Sequence, residues 1–171
     1  GGAVIDKLAQ SGNPQAVKFP RPYLPGSWDF SFSGLKTAVV NYVSDQPQLW
    51  SRDRQMGDRE RRSGRADLCA SFQATVIDVM VHKTFAAVKE YQVKNLFLGG
   101  GVAANSALRQ RFTVAAHAAR IRLLIPPVQL CTDNAAMIAS LGYYQFRAGK
   151  NVYYPPFVNF SVAPDLEIKN W

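Results

Sequence analysis

The stretch that decides the fold is LFLGGGVAAN at residues 96–105. Its apolar start is typical of a short strand, and the three glycines at 99–101 allow a tight turn into a helix near Asn105. Residues 130–139, LCTDNAAMIA, have a similar form with a carboxylate, Asp133, at the turn. Such turns present backbone N–H groups and the positive end of a helix dipole to an anion. A nucleotide and a metal ion held between two such turns are a first hypothesis, which makes enzyme the leading class.

Both turns also have a purely structural interpretation. A glycine run is a common tight turn, and Asn105 is an amide of the kind that caps a helix N-terminus. The same amide suits a ribose hydroxyl or a base edge, because it both donates and accepts. Thr132 or Asp133 can cap the helix after the second turn. The glycine run lacks the third glycine of the dinucleotide fingerprint and the Lys of a P-loop, so the residues alone leave both interpretations open.

Outward from these turns, the sequence predicts alternating helices and strands. Residues 66–91 are the longest periodic stretch, apolar over so wide an arc that we expect a helix buried on two sides. Strands are predicted at 93–98 and 120–125, and helices at 103–119 and 132–146. This alternation predicts an α/β layer with at least two neighbouring, parallel strands.

The N-terminal part is predicted to be less regular. Residues 3–10 fit a short amphipathic helix that ends before Gly12, and the proline-rich residues 14–29 are typical of extended chain. Residues 29–33, DFSFS, alternate aromatic and polar side chains. This alternation predicts a short half-buried strand, followed by a helix over 35–42.

The composition is that of a globular protein with a basic surface. Of the 171 residues, 47% are hydrophobic, which is enough for a packed core. The net charge of +8 favours a polyanionic partner such as RNA, and basic charge also simply aids solubility. Residues 51–65 contain six arginines and predict an exposed loop. That loop either contacts RNA phosphates or is a solvated linker.

Few other side chains suggest chemistry. Cys69 and Cys131 lack metal-type spacing, which favours buried thiols in a reducing cytoplasm. His82 and His117 lie within predicted helices without the spacing of metal ligands, so we expect ordinary helix residues. No apolar run reaches membrane-spanning length, and no membrane partner is expected. No arrangement typical of a Ser or Cys nucleophile with a His base stands out.

Four phrases of the sequence resemble the signature segments of the TsaD family of tRNA-modifying enzymes. They are GGGVAAN at 99–105, CTDNAAMIA at 131–139, DFSFSGLKTA at 29–38 and ASFQ at 70–73. The resemblance implies the actin-like, sugar-kinase-like ATPase fold, in which two α/β lobes enclose a nucleotide cleft. This chain is expected to be the C-terminal part of that fold over residues 1–149, followed by a tail over 150–171.

The activity implied by the resemblance is tRNA modification. The family transfers a threonylcarbamoyl group from threonylcarbamoyl-AMP to the exocyclic amine of the adenosine next to the anticodon. The tRNAs concerned read codons that begin with A. The resemblance implies that Gly2, Asp6 and Asn105 bind the adenylate and that Asp133 is one ligand of a divalent iron or zinc ion. It also implies tRNA, a TsaB-like protein and a TsaE-like protein as partners, and a cytoplasmic location.

Two features of the family are absent from this sequence. They are the His-x-x-x-His pair that supplies the other metal ligands and the Ser-Gly-Gly substrate loop. We therefore expect a piece of a longer enzyme that is inactive alone. The alternative is a non-catalytic module of the TsaB type, which is an ATPase-like lobe that acts as a scaffold or an RNA-binding surface.

Overall fold

The computed structural model describes residues 1–51 and 57–149. The chain forms two compact units, Gly1–Asp133 and a second that begins at Asn134. The predicted boundary between 149 and 150 falls at the end of the described residues and stays a prediction. None of the described helices is both long and apolar enough to cross a membrane. The described α-helices and strands are α1 (Gly2–Ala9), α2 (Ser33–Asp45), α3 (Asp58–Glu90), β1 (Asn95–Phe97), α4 (Ser106–Ala118), β2 (Arg122–Leu124) and α5 (Ala135–Arg147).

Helix α3 is the central element of the first unit. On one side, Leu68 packs with Phe19 and Leu35 from the preceding chain into a buried cluster. On another side, Ile77 packs with Leu108 of α4 into a second cluster. Burying each of these side chains contributes about 1.5–3 kcal/mol to stability. The helix is therefore buried on two sides, as its wide apolar arc predicts.

Strands β1 and β2 form a parallel pair. Leu96 of β1 lies opposite Leu123 of β2, and both side chains pack against the second cluster. Helix α4 makes the crossover between the two strands, which parallel pairing requires. The predicted α/β layer is confirmed in the described residues, with strands of three residues each.

Residues 29–33 do not form the predicted strand. Helix α2 begins at Ser33, and the residues before it are irregular. The ammonium group of Lys83 donates to the backbone carbonyl of Ser27 at 2.7 Å and to that of Asp29. A buried side chain thus satisfies carbonyls that a neighbouring strand would otherwise pair, so alternation alone predicts the wrong structure here.

Residues 58–65 of the predicted exposed loop are helical in the structure. Helix α3 begins at Asp58, while residues 52–56 lie outside the described chain. A hydrogen bond from Arg61 lowers the pKa of the Asp58 carboxyl, which also suits the positive end of the helix. Arg65 donates to a carbonyl of the preceding 3-10 turn at 2.6 Å. Several charges of this segment therefore stabilise a helix start.

Helix α1 leads into a segment whose backbone lies very close to that of α3. A Cβ atom on Gly12 would lie 2.1 Å from the carbonyl oxygen of Ala66. The N–H of Asn13 donates to the Asp67 carboxylate at 2.7 Å, and the Ser71 hydroxyl donates to the carbonyl of Asn13 at 3.2 Å. These contacts hold the C-terminal end of α1 against α3.

Helix α5 belongs to the second unit. It begins after Asn134, whose side-chain oxygen accepts the N–H of Met137 at 3.1 Å. Asn134 is therefore the cap of this helix, and the expectation that Thr132 or Asp133 caps it is wrong. The helix starts three residues later than the predicted position 132, because the pattern of small polar residues fits a cap at any of these positions.

Candidate functional site

A cavity of about 570 Å³ lies in the first unit between α1 and the glycine turn that follows β1. Gly2 and Asp6 of α1 line it, together with Asn105 at the start of α4. Three of the predicted site residues thus surround one space. The other lining residues are Ala3, Lys7, Gln10, Gly101, Val102, Ala104, Val128 and Thr132.

The glycine turn includes a backbone conformation that residues with a side chain rarely adopt. Gly100 has a φ of +83°, in the left-handed region, so a side chain there would be strained. A Cβ atom added at Gly99 or Gly100 would meet no other atom within 4 Å, which leaves this face of the turn open to a ligand. Behind it, Ala103 is fully buried and anchors the 3-10 turn Gly101–Ala104.

Asn105 caps helix α4 and also lines the cavity. Its Oδ1 accepts the N–H of Leu108 at 2.8 Å and caps α4, so the structural interpretation is confirmed. Its Nδ2 donates to Oε1 of Gln73 at 2.7 Å. Within the described residues these contacts use one Nδ2 hydrogen, so the second is available to a ligand in the cavity that Asn105 lines.

Asp6 is bound to the start of α4. Its Oδ2 accepts the backbone N–H of Ser106 at 3.1 Å, and its Oδ1 accepts the Ser106 hydroxyl at 2.9 Å. The carboxylate thus supplies the negative charge that the positive end of α4 attracts. A phosphate would meet like charge here, whereas ribose hydroxyls donate favourably to a carboxylate. With Asp6 bound to it, this helix end suits hydroxyl donors better than an anion.

Two side chains hold the loop that borders the cavity beyond the glycine turn. Arg109 donates to the carbonyl of Pro126 at 3.0 Å, and the thiol of Cys131 lies 3.5 Å from the carbonyl of Pro127. Cys131 is buried, as predicted. Together these contacts set the position of Thr132, a lining residue.

The described residues do not form a metal site by themselves. Asp133 is exposed and is not among the residues that line the cavity. In the part of the chain that the structure describes, no three His, Cys, Asp or Glu side chains are grouped to share an ion. His82 packs against Tyr23 with ring centres 4.5 Å apart, and His117 lies in the last turn of α4. The described residues alone therefore do not complete a metal site around Asp133.

Two residues that support the site, Gln73 and Ser106, have no role predicted from the sequence. Ser106 directly follows Asn105, so its polar side chain at the first helical position was an available signal. Gln73 is 32 residues away from Asn105 and belongs to a different helix. Only the packing of α3 against α4 brings these two amides together.

Comparison with known proteins identifies the family. A family model described as TsaD, tRNA N6-adenosine threonylcarbamoyltransferase, matches residues 1–140. The relative of that name from Endomicrobium trichonymphae is 40% identical over 171 residues, which cover 100% of this chain and 46% of the relative. Relatives of the same name from Symbiobacterium thermophilum and Moorella thermoacetica are 50% and 48% identical, and the matches cover 87% and 85% of this chain.

The chain spans less than half the length of these relatives, namely 46% of the first and 40% of the other two. The family model matches the glycine turn, Asp6 and Asn105, and all residues that line the cavity lie within the matched range. The extent of that match and the identity to these relatives together show that the chain belongs to the TsaD family.

Proposed function

We propose that this chain is the C-terminal lobe of a tRNA N6-adenosine threonylcarbamoyltransferase with the actin-like, sugar-kinase-like fold, acting in the cytoplasm. The whole protein transfers a threonylcarbamoyl group from threonylcarbamoyl-AMP to the exocyclic amine of the adenosine next to the anticodon. Its tRNA substrates read codons that begin with A. The proposal depends on one observation, the cavity in which Gly2, Asp6 and Asn105 meet.

The part of this chain in the reaction is to bind and orient the adenylate. Asp6 accepts hydrogen bonds from ribose hydroxyls, Asn105 donates to the ribose or the base, and Gly2 lets the ligand approach the backbone closely. In the transfer, the adenosine amine forms a new N–C bond, the anhydride C–O bond to AMP breaks, and the amine loses one proton. Holding the donor in a fixed geometry lowers the barrier without a protein nucleophile.

Two measurements test this proposal. The first is calorimetric titration of the chain with AMP, for which we expect saturable binding. The second joins this chain to the N-terminal part of the Endomicrobium trichonymphae relative and measures threonylcarbamoyladenosine in tRNA by mass spectrometry. Transfer by the joined protein supports the enzyme. AMP binding without transfer favours the non-catalytic scaffold, and the absence of AMP binding contradicts the proposed site.

We also propose that Asp133 is one ligand of an iron or zinc ion in the whole protein, with the other ligands outside this sequence. Replacing Asp133 by alanine is expected to remove most of the metal from the joined protein, measured by elemental analysis. The free energy of unfolding is expected to change by less than about 0.5 kcal/mol, because the side chain is exposed and Asn134 caps α5. Alanine at the exposed Asp58 is the control and leaves the metal content unchanged. An equal metal content in both variants would contradict the assignment.

The first turns of α3 are our proposed contact with tRNA. Arg59 and Arg62 are exposed there, whereas Arg61 pairs with Asp58 and Arg65 bonds to the preceding turn. Replacing Arg59 and Arg62 by serine is expected to weaken tRNA binding and to reduce the salt dependence of the binding constant by about one to two in log–log slope. Titrations of tRNA at two salt concentrations measure both quantities.

The matched control removes the same charge elsewhere in the first unit. Lys94 and Arg120 are exposed and distant in sequence from the start of α3. Serine at these two positions is expected to change the salt slope of tRNA binding less than serine at Arg59 and Arg62 does. If both double variants lose the same affinity, the start of α3 is a solvated helix end and not a tRNA contact.

The proposed protein partners, TsaB-like and TsaE-like, follow from the family resemblance.

A further inference from the structure

Gln73 contacts Asn105 from outside the cavity that Asn105 lines. It does not line that cavity but borders a neighbouring one of about 340 Å³, between α1, α3 and α4. Its Oε1 accepts a hydrogen bond from Nδ2 of Asn105 at 2.7 Å. It lies on α3 between the buried residues Ser71 and Thr75. The acceptor is therefore held by a rigid element.

The orientation of the Asn105 amide matters, because turning it over would exchange an acceptor for a donor. The N–H of Leu108 requires an oxygen from this amide, and Oε1 of Gln73 requires a hydrogen. Both requirements are met by the same orientation. The turned amide would face the Leu108 N–H with its NH₂ group and the Gln73 oxygen with its own oxygen, so both hydrogen bonds would be lost.

We propose that Gln73 is a positioning residue of the adenylate site. It accepts one Nδ2 hydrogen of Asn105 and thereby fixes the amide so that the other Nδ2 hydrogen serves the ligand. It does so without touching the ligand itself, because it lies outside the lining of the larger cavity. The ligand part of this inference rests on the proposed function, whereas the fixed amide orientation does not.

The experiment compares three variants of the chain. Gln73→Met keeps the length of the side chain and removes the acceptor, and Gln73→Glu keeps an acceptor for Asn105. Gln110→Met makes the same change at an exposed residue of the same smaller cavity, away from the Asn105 amide, and is the matched control. For each protein, NMR measures the exchange rates of the two Asn105 Nδ2 hydrogens, and calorimetry measures AMP affinity.

In the original chain we expect one Asn105 Nδ2 hydrogen to exchange clearly more slowly than the other. In Gln73→Met the two rates become similar and AMP affinity falls by roughly 3- to 10-fold, the loss typical of one positioned hydrogen bond. Gln73→Glu and Gln110→Met keep the slow hydrogen and bind AMP within about twofold of the original chain.

Two results would overturn the inference. One is a slow hydrogen that persists in Gln73→Met. The other is unchanged AMP affinity in that variant while the original chain binds AMP. If the original chain does not bind AMP, the proposed function fails, and the exchange rates still decide whether Gln73 fixes the amide. The two failures are therefore distinguishable.

Discussion

Replacing Gly12 by alanine is expected to destabilise the chain by about 3 kcal/mol or more, and replacing it by valine to prevent stable folding. The new Cβ atom would lie 2.1 Å from the oxygen and 2.2 Å from the carbon of the Ala66 carbonyl, and 2.7 Å from the backbone nitrogen of Asp67. All three are backbone atoms inside α3, so none of them can rotate away as a side chain does. Denaturant unfolding followed by circular dichroism measures the loss.

Gly64, which lies on α3 itself, provides the matched control. A Cβ atom there would lie 2.6 Å from Cδ2 of Leu49, which is the end of a flexible side chain. Alanine at 64 also gains helix propensity, up to about 1 kcal/mol over glycine. We expect a net change of less than about 1 kcal/mol in either direction. If alanine at Gly12 is as mild as alanine at Gly64, the close backbone approach of residue 12 to α3 does not determine stability.

The Gly12 contact also shows why the site is difficult to predict from sequence. Asp6 lies on α1 and Ser106 on α4, 100 residues later, and both helices take their positions from α3. Family resemblance selects Asp6 and Asn105 as site residues, and the structure places both in the lining of one cavity. It does not show that Asp6 already binds the start of α4, because that contact depends on how closely two backbones approach.

Local patterns predict the fold well where one periodicity dominates. The wide apolar arc of 66–91 corresponds to α3, and the alternation that follows it corresponds to β1, α4 and β2. The pattern fails where tertiary contacts replace local ones. No strand forms at the predicted residues 29–33, and Lys83 donates to the carbonyls of Ser27 and Asp29 where this segment begins. The charged residues at the start of α3 predict a loop, because the sequence does not reveal tertiary contacts such as the one from Arg65 to the preceding turn.

The role of Asp133 remains a prediction that depends on the resemblance alone. The structure places it on an exposed segment and assigns the helix cap to its neighbour Asn134. The sequence left helix capping and metal binding open as roles for Asp133. Because Asn134 caps the helix, capping is not the role of the Asp133 carboxylate. The described residues do not group three candidate ligands around an ion, so the proposed metal role needs ligands from elsewhere.

Replacing Asp6 by alanine is expected to lower the affinity of the chain for AMP by roughly 100-fold. Hydrogen bonds from hydroxyls to a carboxylate contribute about 1.5–3 kcal/mol each, and each 1.4 kcal/mol corresponds to a tenfold change in affinity. The variant also loses both contacts to Ser106, at a cost of roughly 1 kcal/mol in stability at the start of α4. Calorimetry with AMP gives the affinity, and denaturant unfolding gives the stability.

A ligand lacking the ribose hydroxyls separates direct binding by Asp6 from indirect disturbance of α4. For 2′,3′-dideoxy-AMP, the original chain and Asp6→Ala are expected to bind with similar, weak affinity, since neither pair can form the hydroxyl contacts. Ser106→Ala is the structural control, because it removes the 2.9 Å contact to Oδ1 and keeps the backbone contact to Oδ2. It should change AMP affinity by less than about threefold. If Asp6→Ala weakens AMP and dideoxy-AMP by the same factor, Asp6 acts only through the position of α4 and does not bind the ribose.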